Sequence, residues 1–236
     1  MKYFFAILCS FCGLAGFGQN KICAVMSPIS SQSGQPIGQL QLQVGTGATA
    51  TIFTPPNAGG CLDLSGLPLT TGDLLVPYKN INPANGVTTW DLVKISKHIL
   101  GVQPFTSCYQ VIAADINHNN QVTTFDLVEM RKVILGTYSS FPGNTSWRFV
   151  PKNCTNGCLG CPTCVFGSST NMDCEFYGIK IGDLSGDADP NNFANPVLED
   201  RSPTLFSLEN RSLQAGQVVE IPLFLEKENS LLAWQL

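Results

Sequence analysis

Two stretches of the chain repeat each other: NINPANGVTTWDLVKISKHILG, residues 80–101, and DINHNNQVTTFDLVEMRKVILG, residues 115–136. They are offset by 35 residues, and 13 of the 22 aligned positions are identical. Similarity of this extent at a fixed offset indicates two copies of one supersecondary unit. Two copies are too few for a helical solenoid, so the unit itself decides the fold of this region.

The second half of each copy predicts an amphipathic helix. Apolar residues recur at intervals of three and four, which places them on one face of a helix. Each copy ends in glycine, Gly101 or Gly136, where a helix C-terminus favours left-handed backbone. The apolar positions are Leu92, Ile95, Ile99 and Leu100 in the first copy and Leu127, Met130, Ile134 and Leu135 in the second.

The first half of the second copy has the spacing of a calcium-binding loop. Calcium prefers oxygen ligands, and a twelve-residue loop supplies them at alternate positions and at position twelve. Asn120 stands at position six, where the chain turns sharply and asparagine tolerates a left-handed conformation. An Asn/Asp-rich turn that only caps the helix would use the same residue types. The predicted Ca²⁺ ligands are Asp115, Asn117, Asn119, Gln121 through its carbonyl, Thr123 and Asp126.

The first copy predicts a weaker calcium loop. Asn80 replaces the first aspartate, and Ala84 has no side-chain oxygen at position five. Loss of one carboxylate and one oxygen weakens binding of a divalent ion strongly. The candidate ligands in this copy are Asn80, Asn82, Gly86 through its carbonyl, Thr88 and Asp91.

A calcium loop followed by a helix, present twice, resembles the type I dockerin. The loop ligands carry this resemblance, together with Val87 and Val122 at position eight and the Ile-Leu-Gly helix ends. It implies an EF-hand-like module over residues 79–142 that binds a cohesin-type partner. Packing between the helices is the alternative role for the two aromatic residues of the implied partner surface. That surface comprises Thr89, Trp90, Lys97, Thr124, Phe125 and Lys132.

Residues 19–78 predict a small β-sandwich. The stretch Gly38–Gly45 alternates leucine and valine with glutamine, and Leu74–Tyr78 is again strand-like. Cys23 and Cys61 bracket the segment and are expected to staple it. Ser33–Ile37 and Gly60–Pro68 resemble motifs of the CnaB or carboxypeptidase regulatory-like sandwich, which implies a scaffold role.

Residues 143–200 predict a cysteine-rich linker. The run Cys154, Cys158, Cys161, Cys164 suits a zinc or iron–sulfur site in a reduced compartment, but export favours disulfides among these residues, Cys108 and Cys174. In Gly182–Asn191 acidic residues alternate as in a calcium loop. Position twelve of that loop would be Ala194, which cannot bind a metal, so the segment is interpreted as a turn.

Both ends of the chain suggest an exported protein. Residues 1–18 have the short positive start, apolar run and small-x-small end of a signal peptide, which predicts a secreted or cell-surface location. Residues 201–236 resemble the opening strands of a cohesin-like sandwich and are too few to close one. No later apolar run is long enough to cross a membrane. With 13 basic and 17 acidic residues and no basic patch, nucleic acid is not an expected partner.

The predicted fold class is therefore multidomain α+β: a small β-sandwich, a two-helix dockerin-like module, a cysteine-rich segment and an incomplete sandwich. The predicted function is extracellular, calcium-dependent protein–protein interaction without catalysis. His98 and His118 are the chain's two histidines, and no nucleophile motif or phosphate-binding glycine loop accompanies them. The alternative is the non-catalytic part of a polysaccharide-degrading enzyme whose catalytic domain lies outside this sequence.

Overall fold

The computed structural model describes residues 20–154, 158, 164–167, 173–192, 206–207 and 224–225. The predicted signal peptide and most of the predicted cohesin-like segment lie outside these residues. The described chain is mixed α/β and mostly β. It divides into two units, Met1–Asn195 and Pro196–Leu236.

The first unit contains nine described strands and three α-helices. The strands are β1 Lys21–Met26, β2 Gln41–Val44, β3 Thr51–Phe53, β4 Asn57–Ala58, β5 Cys61–Asp63, β6 Leu74–Tyr78, β7 Trp147–Pro151, β8 Cys164–Val165 and β9 Asp173–Lys180. The helices are α1 Thr89–Ile99, α2 Cys108–Ala114 and α3 Thr124–Ile134, and a 3-10 turn covers Gly47–Thr49. In the second unit, β10 Phe206–Ser207 pairs antiparallel with β11 Phe224–Leu225.

The strands of the first unit form two sheets. One has the order β4-β5-β1-β9-β7, and the other has the order β3-β2-β6-β8. Strands β1 and β9 are parallel, whereas all other neighbours are antiparallel. Apolar side chains from both sheets share one core, which includes Ile22, Leu42, Leu75, Trp147 and Phe176. The two sheets therefore pack face to face as a sandwich.

Strand β1 occupies the centre of its sheet, and its alternating burial shows that one face packs on the core. Ile22, Ala24 and Met26 are buried, and the residues between them are partly exposed. This period of two is typical of a strand with one face on a core. The predicted staple is confirmed, because Cys23 pairs with Cys61 across β1 and β5 and the two sulfurs are bonded.

The structure differs from the predicted division of the chain. Residues 19–78 do not complete a sandwich by themselves, and the segment after residue 143 is not only a linker. Strands β7 and β9 extend the first sheet, and β8 pairs with β6 in the second. The cysteines of this segment form disulfides, as predicted: Cys108 with Cys158, and Cys164 with Cys174.

The helical region lies between β6 and β7 in the chain and has its own core. Ile95 of α1, Ile112 of α2 and Met130 of α3 are buried together in it. The helices α1 and α3 confirm the two predicted helices, and Ile95 and Met130 lie on their buried faces. Leu100 and Leu135, which the prediction placed on the same faces, are exposed because they follow the last helical residue. Helix α2 corrects the prediction of a two-helix module, because it enters the second loop and makes that copy a helix–loop–helix.

Two buried lysines join the sandwich to neighbouring segments: Lys79 to the segment after β9, and Lys180 to the first copy. Lys79 donates hydrogen bonds to the carbonyls of Gly38 and Pro190, at 2.9 and 2.7 Å. Lys180 donates to the carbonyls of Pro83 and Ile181, at 2.6 and 2.9 Å. Burial lowers the pKa of Lys79 to about 8 and that of Lys180 to about 7. Each cation thus has hydrogen-bond partners that partly offset the cost of its burial.

These lysines predict a stability that rises with pH. Between about pH 7 and the ordinary lysine value of 10.5, the unfolded chain holds a proton that folded Lys180 has released. The free energy of unfolding therefore increases across this window, by up to a few kcal/mol. Urea unfolding at pH 7 and pH 9.5 measures the change. Lys180→Met should flatten it, and Lys21→Met on the partly exposed face of β1 should not; equal slopes in all three proteins would contradict the assignment.

None of the helices in the described part of the chain is long and apolar enough to cross a membrane.

Candidate functional site

The second copy forms a closed loop around Asp115. This residue is buried, and its carboxylate accepts backbone N–H bonds from Asn119 at 2.9 Å and from Asn120 at 3.1 Å. Asn120 has φ +63°, the left-handed conformation expected at position six. His118 at position four also has a positive φ, +59°. Residues 115–126 are called the continuous loop below.

Asp126 closes the continuous loop from the first turn of α3. Its Oδ1 accepts the N–H groups of Ile116 and Asn117, at 2.9 and 3.2 Å. Its Oδ2 accepts the N–H of Thr123 at 2.8 Å, which is one half of a capping box. Asp126 is fully buried. The carboxylate therefore links the start of the loop, at positions two and three, to the start of the helix.

The continuous loop fits calcium by its donor chemistry. A carboxylate oxygen that accepts one N–H still has a lone pair for a metal ion, and Oδ1 of Asp115 is in that position. Both oxygens of Asp126 already accept two hydrogen bonds each, so a metal ion would have to replace some of these bonds. Within the described ranges, no three His, Cys, Asp or Glu side chains converge as a metal site. A calcium ion here would therefore need amide, hydroxyl and carbonyl oxygens as well, and Asn117, Asn119 and Thr123 offer them at the predicted positions.

The structure places the first half of the first copy elsewhere. The Oδ1 atom of Asn80 accepts the N–H of Ser146 at 2.9 Å, and Asn82 donates from its amide to the carbonyl of Asn192 at 3.4 Å. Asn80 thus binds the segment just before β7, and Asn82 binds the segment after β9. Neither residue closes a loop on Asp91. The hydrogen bonds that would join this copy's own positions two and three to Asp91 are made by another part of the chain.

That part is the segment after β9. The Oδ1 atom of Asp91 accepts the N–H groups of Leu184 at 2.9 Å and Ser185 at 2.6 Å. Its Oδ2 accepts the N–H of Thr88 at 2.9 Å. Asp126 makes the same set of bonds in the continuous loop. Leu184 and Ser185 therefore stand where positions two and three of a calcium loop stand, about 90 residues after the helix they serve.

Asp183 occupies the place that Asp115, at position one, has in the continuous loop. Its Oδ1 accepts the N–H of Asp187 at 3.3 Å, and its Oδ2 accepts that of Ala188 at 3.0 Å. Asp115 makes the same bonds to positions five and six. Gly186 at position four has φ +79°, matching His118. Residues 183–189 and 86–91 together are called the assembled loop below.

The assembled loop concentrates negative charge. Burial raises the pKa of Asp183, and the charges of Asp91 and Asp187 raise it further. Asp183 is nevertheless held by three backbone N–H groups, since Gly186 donates to it at 2.6 Å as well. The charges of Asp91 and Asp187 are thus close enough to act on Asp183, although no three acidic side chains of the described residues converge on one point.

Sequence reasoning found the acidic alternation of this segment but not its partner. It required Ala194 at position twelve to close the loop, whereas Asp91 takes that place in the structure. The sequence did contain one signal. Residues 80–91 lack good ligands at loop positions one and five, whereas residues 183–194 have acidic residues there and lack a ligand at position twelve. Only their pairing in space, Asn85 with Asp189 and Asp91 with Ser185, joins them.

The predicted partner residues lie on the outside of α1 and α3. Trp90 is 55% exposed and Phe125 is 70% exposed, so packing between the helices does not account for these side chains. Thr89 and Thr124 are exposed beside them. The ammonium group of Lys97 lies 5.6 Å from the ring centre of Trp90, and Lys132 binds Glu129 at 2.9 Å.

The exposed apolar residues repeat between the two helices. Val93 and Val128 occupy equivalent positions, as do Leu100 and Leu135 at the helix ends. Both helices thus present the same row of side chains to solvent. No protein-family model matches the chain, and neither a curated protein nor a solved structure matches it.

Proposed function

We propose that this chain is an extracellular, calcium-binding interaction module, dockerin-like in its chemistry and without catalytic activity of its own. One observation supports the calcium sites most directly. Asp126 and Asp91 accept the same three backbone N–H bonds, from positions two, three and nine of their loops. Each module half therefore has one loop closed by the same three bonds, and this likeness supports the proposal of two calcium ions.

The assembled loop is the stronger of the two proposed sites. It contains three acidic residues, Asp183, Asp187 and Asp91, whereas the continuous loop contains two, Asp115 and Asp126. The three carboxylates do not converge on one point in the described residues, so calcium would have to draw them together. Arg148 reduces the negative charge of the continuous loop further, because its Nη1 lies 3.3 Å from Asp115. Calcium affinity rises with the number of ligand charges, so the assembled loop should fill first on titration.

The exposed faces of α1 and α3 are the proposed partner surface. Trp90 and Phe125 are exposed in the first turns of these helices, and exposed aromatic residues often contribute much of the binding energy of an interface. The apolar row on each helix suits a partner with a flat apolar patch, and a cohesin-type domain is the partner that the dockerin resemblance favours. Calcium supports this role by holding the first turn of each helix to its loop.

Calcium titration calorimetry of the whole chain tests the proposal. We expect two binding events in the unaltered protein, the tighter one lost in Asp183→Ala and the weaker one lost in Asp126→Ala. Asp63→Ala serves as the control, because this residue caps a turn in the sandwich through the N–H of Ser65. Absence of any heat at millimolar calcium would reject the metal assignment.

A further inference from the structure

A cavity of about 470 Å³ lies beside the continuous loop. Its walls come from three places: β6 with its neighbour β2, the strand β7, and the loop around His118 and Asn144. A cavity of this size is within the range that holds small ligands in proteins. Tyr78, Phe149 and Arg148 supply most of its chemical character. It is called the Arg148 cleft below.

The Arg148 cleft has one strong cation and no acidic side chain among its described lining residues. The guanidinium of Arg148 carries five N–H donors. Among the described residues it has a single hydrogen bond, from Nη1 to Asp115 at 3.3 Å, although the side chain is only 19% exposed. No nitrogen of Arg148 is both buried and without a hydrogen-bond partner, so its remaining N–H donors are accessible and could bind an acceptor in the cleft.

We infer that the Arg148 cleft binds the carboxylate group of a small, hydroxyl-bearing ligand. One planar fork of N–H donors matches one carboxylate, which it can bind through two parallel hydrogen bonds. Phosphate sites usually add a helix N-terminus or several cations, and none of the described lining residues starts a helix. The hydroxyl of Tyr78 and the amide oxygen of Gln43 are further polar groups of the lining, and the ring of Phe149 offers an apolar surface.

The cleft shares Arg148 with the continuous loop, and this link rests on the proposed function. Asp115 neutralises Arg148 when the loop lacks calcium. A calcium ion on Asp115 would compete with Arg148 for the same carboxylate, so more of the guanidinium would become available to the ligand. By reciprocity, a ligand carboxylate on Arg148 should tighten calcium binding by the same factor. We expect a factor of about ten, which is within the ordinary range of such coupling.

The test is binding of three probes to the whole chain, with calcium and with EDTA. Digalacturonate and the acetylated peptide Ser-Glu-Ser present a carboxylate with neighbouring hydroxyls on a saccharide and on a peptide, and digalactose is the neutral match of the first. We expect the carboxylate probes to bind and digalactose to bind at least tenfold more weakly. The tighter of the two carboxylate probes identifies whether a saccharide or a peptide is the source. Equal binding of digalactose, or no binding of either carboxylate, would overturn the proposal.

Variants distinguish an effect on ligand binding in the cleft from effects on folding and on calcium binding. Arg148→Gln should lower carboxylate affinity at least tenfold, and Tyr78→Phe should lower it severalfold with an unchanged melting temperature. Lys152→Gln is the matched control, since Lys152 follows β7 and pairs with Glu175 at 3.3 Å on the surface. Unaltered affinity in Arg148→Gln overturns the assignment. Carboxylate binding without any calcium heat would instead reject only the proposed calcium function, and equal affinity in EDTA would reject the coupling.

Discussion

Asp91→Ala is expected to lower the free energy of unfolding by about 3–5 kcal/mol. The substitution removes the acceptor of two N–H groups in the segment after β9, those of Leu184 and Ser185, and of two donors in Thr88. Leu184 is buried, so its N–H would lose its partner without gaining water. An unpaired buried donor costs about 1–3 kcal/mol, and bonds to a charged acceptor are the stronger ones. Urea unfolding in EDTA measures the loss without any contribution from calcium.

Asp126→Ala is the matched variant, because it removes the equivalent bonds within the continuous loop. Its cost should be similar in size, but its local effect should differ. Asp91→Ala should increase amide hydrogen exchange at Leu184 and Ser185, and Asp126→Ala should increase it at Ile116 and Asn117. If Asp91→Ala leaves exchange at residues 184 and 185 unchanged, the assembled loop does not exist in solution.

Gly86→Ala is expected to lower the free energy of unfolding by about 2–6 kcal/mol and to abolish the tighter calcium site. A Cβ atom at Gly86 would lie 2.6 Å from the Cα atom of Ala188, a contact with backbone that no side-chain rotation relieves. The residue also has φ +69°, which an L side chain rarely adopts. Overpacking against a fixed backbone typically costs about 1–3 kcal/mol, to which the conformational strain adds. Thermal unfolding and calcium calorimetry of the same preparations measure both effects.

Gly101→Ala isolates the strain from the clash. Gly101 has φ +70°, and nothing lies within 4 Å of the position where its Cβ would be. The control should therefore lose only about 1 kcal/mol and keep both calcium sites. Equal losses in the two variants would mean that Gly86 does not pack against Ala188.

The sequence predicted the parts of the molecule that local pattern determines. The helices α1 and α3 follow from apolar spacing within single turns, and Asp126 lies at the position that loop spacing assigns to it. The strand β6 likewise coincides with the predicted Leu74–Tyr78. In each case the residues that decide the structure are neighbours in the chain, so their pattern is readable without knowledge of tertiary contacts.

The remainder depends on contacts between distant residues. The residue pattern of β9 does not specify β1 as its neighbour, because many apolar strands of similar length could pair with it. The assembled loop was missed for the same reason: each segment by itself is an incomplete calcium loop. The prediction that Asn80 and Asn82 belong to a site with Asp91 assumed that a repeat closes on itself, and here the closing partner arrives later in the chain.

The parallel pairing of β1 with β9 has a consequence for synthesis on the ribosome. Ile22 pairs with Cys174, so one edge of β1 stays unpaired until about 150 further residues have been synthesised. At roughly 5–20 residues per second, that delay is on the order of ten seconds. During it, the nascent chain exposes an unpaired edge next to a row of apolar side chains, which can pair with a neighbouring chain. A chaperone that holds the growing chain until Lys180 has emerged should therefore raise the yield of native protein in cell-free translation.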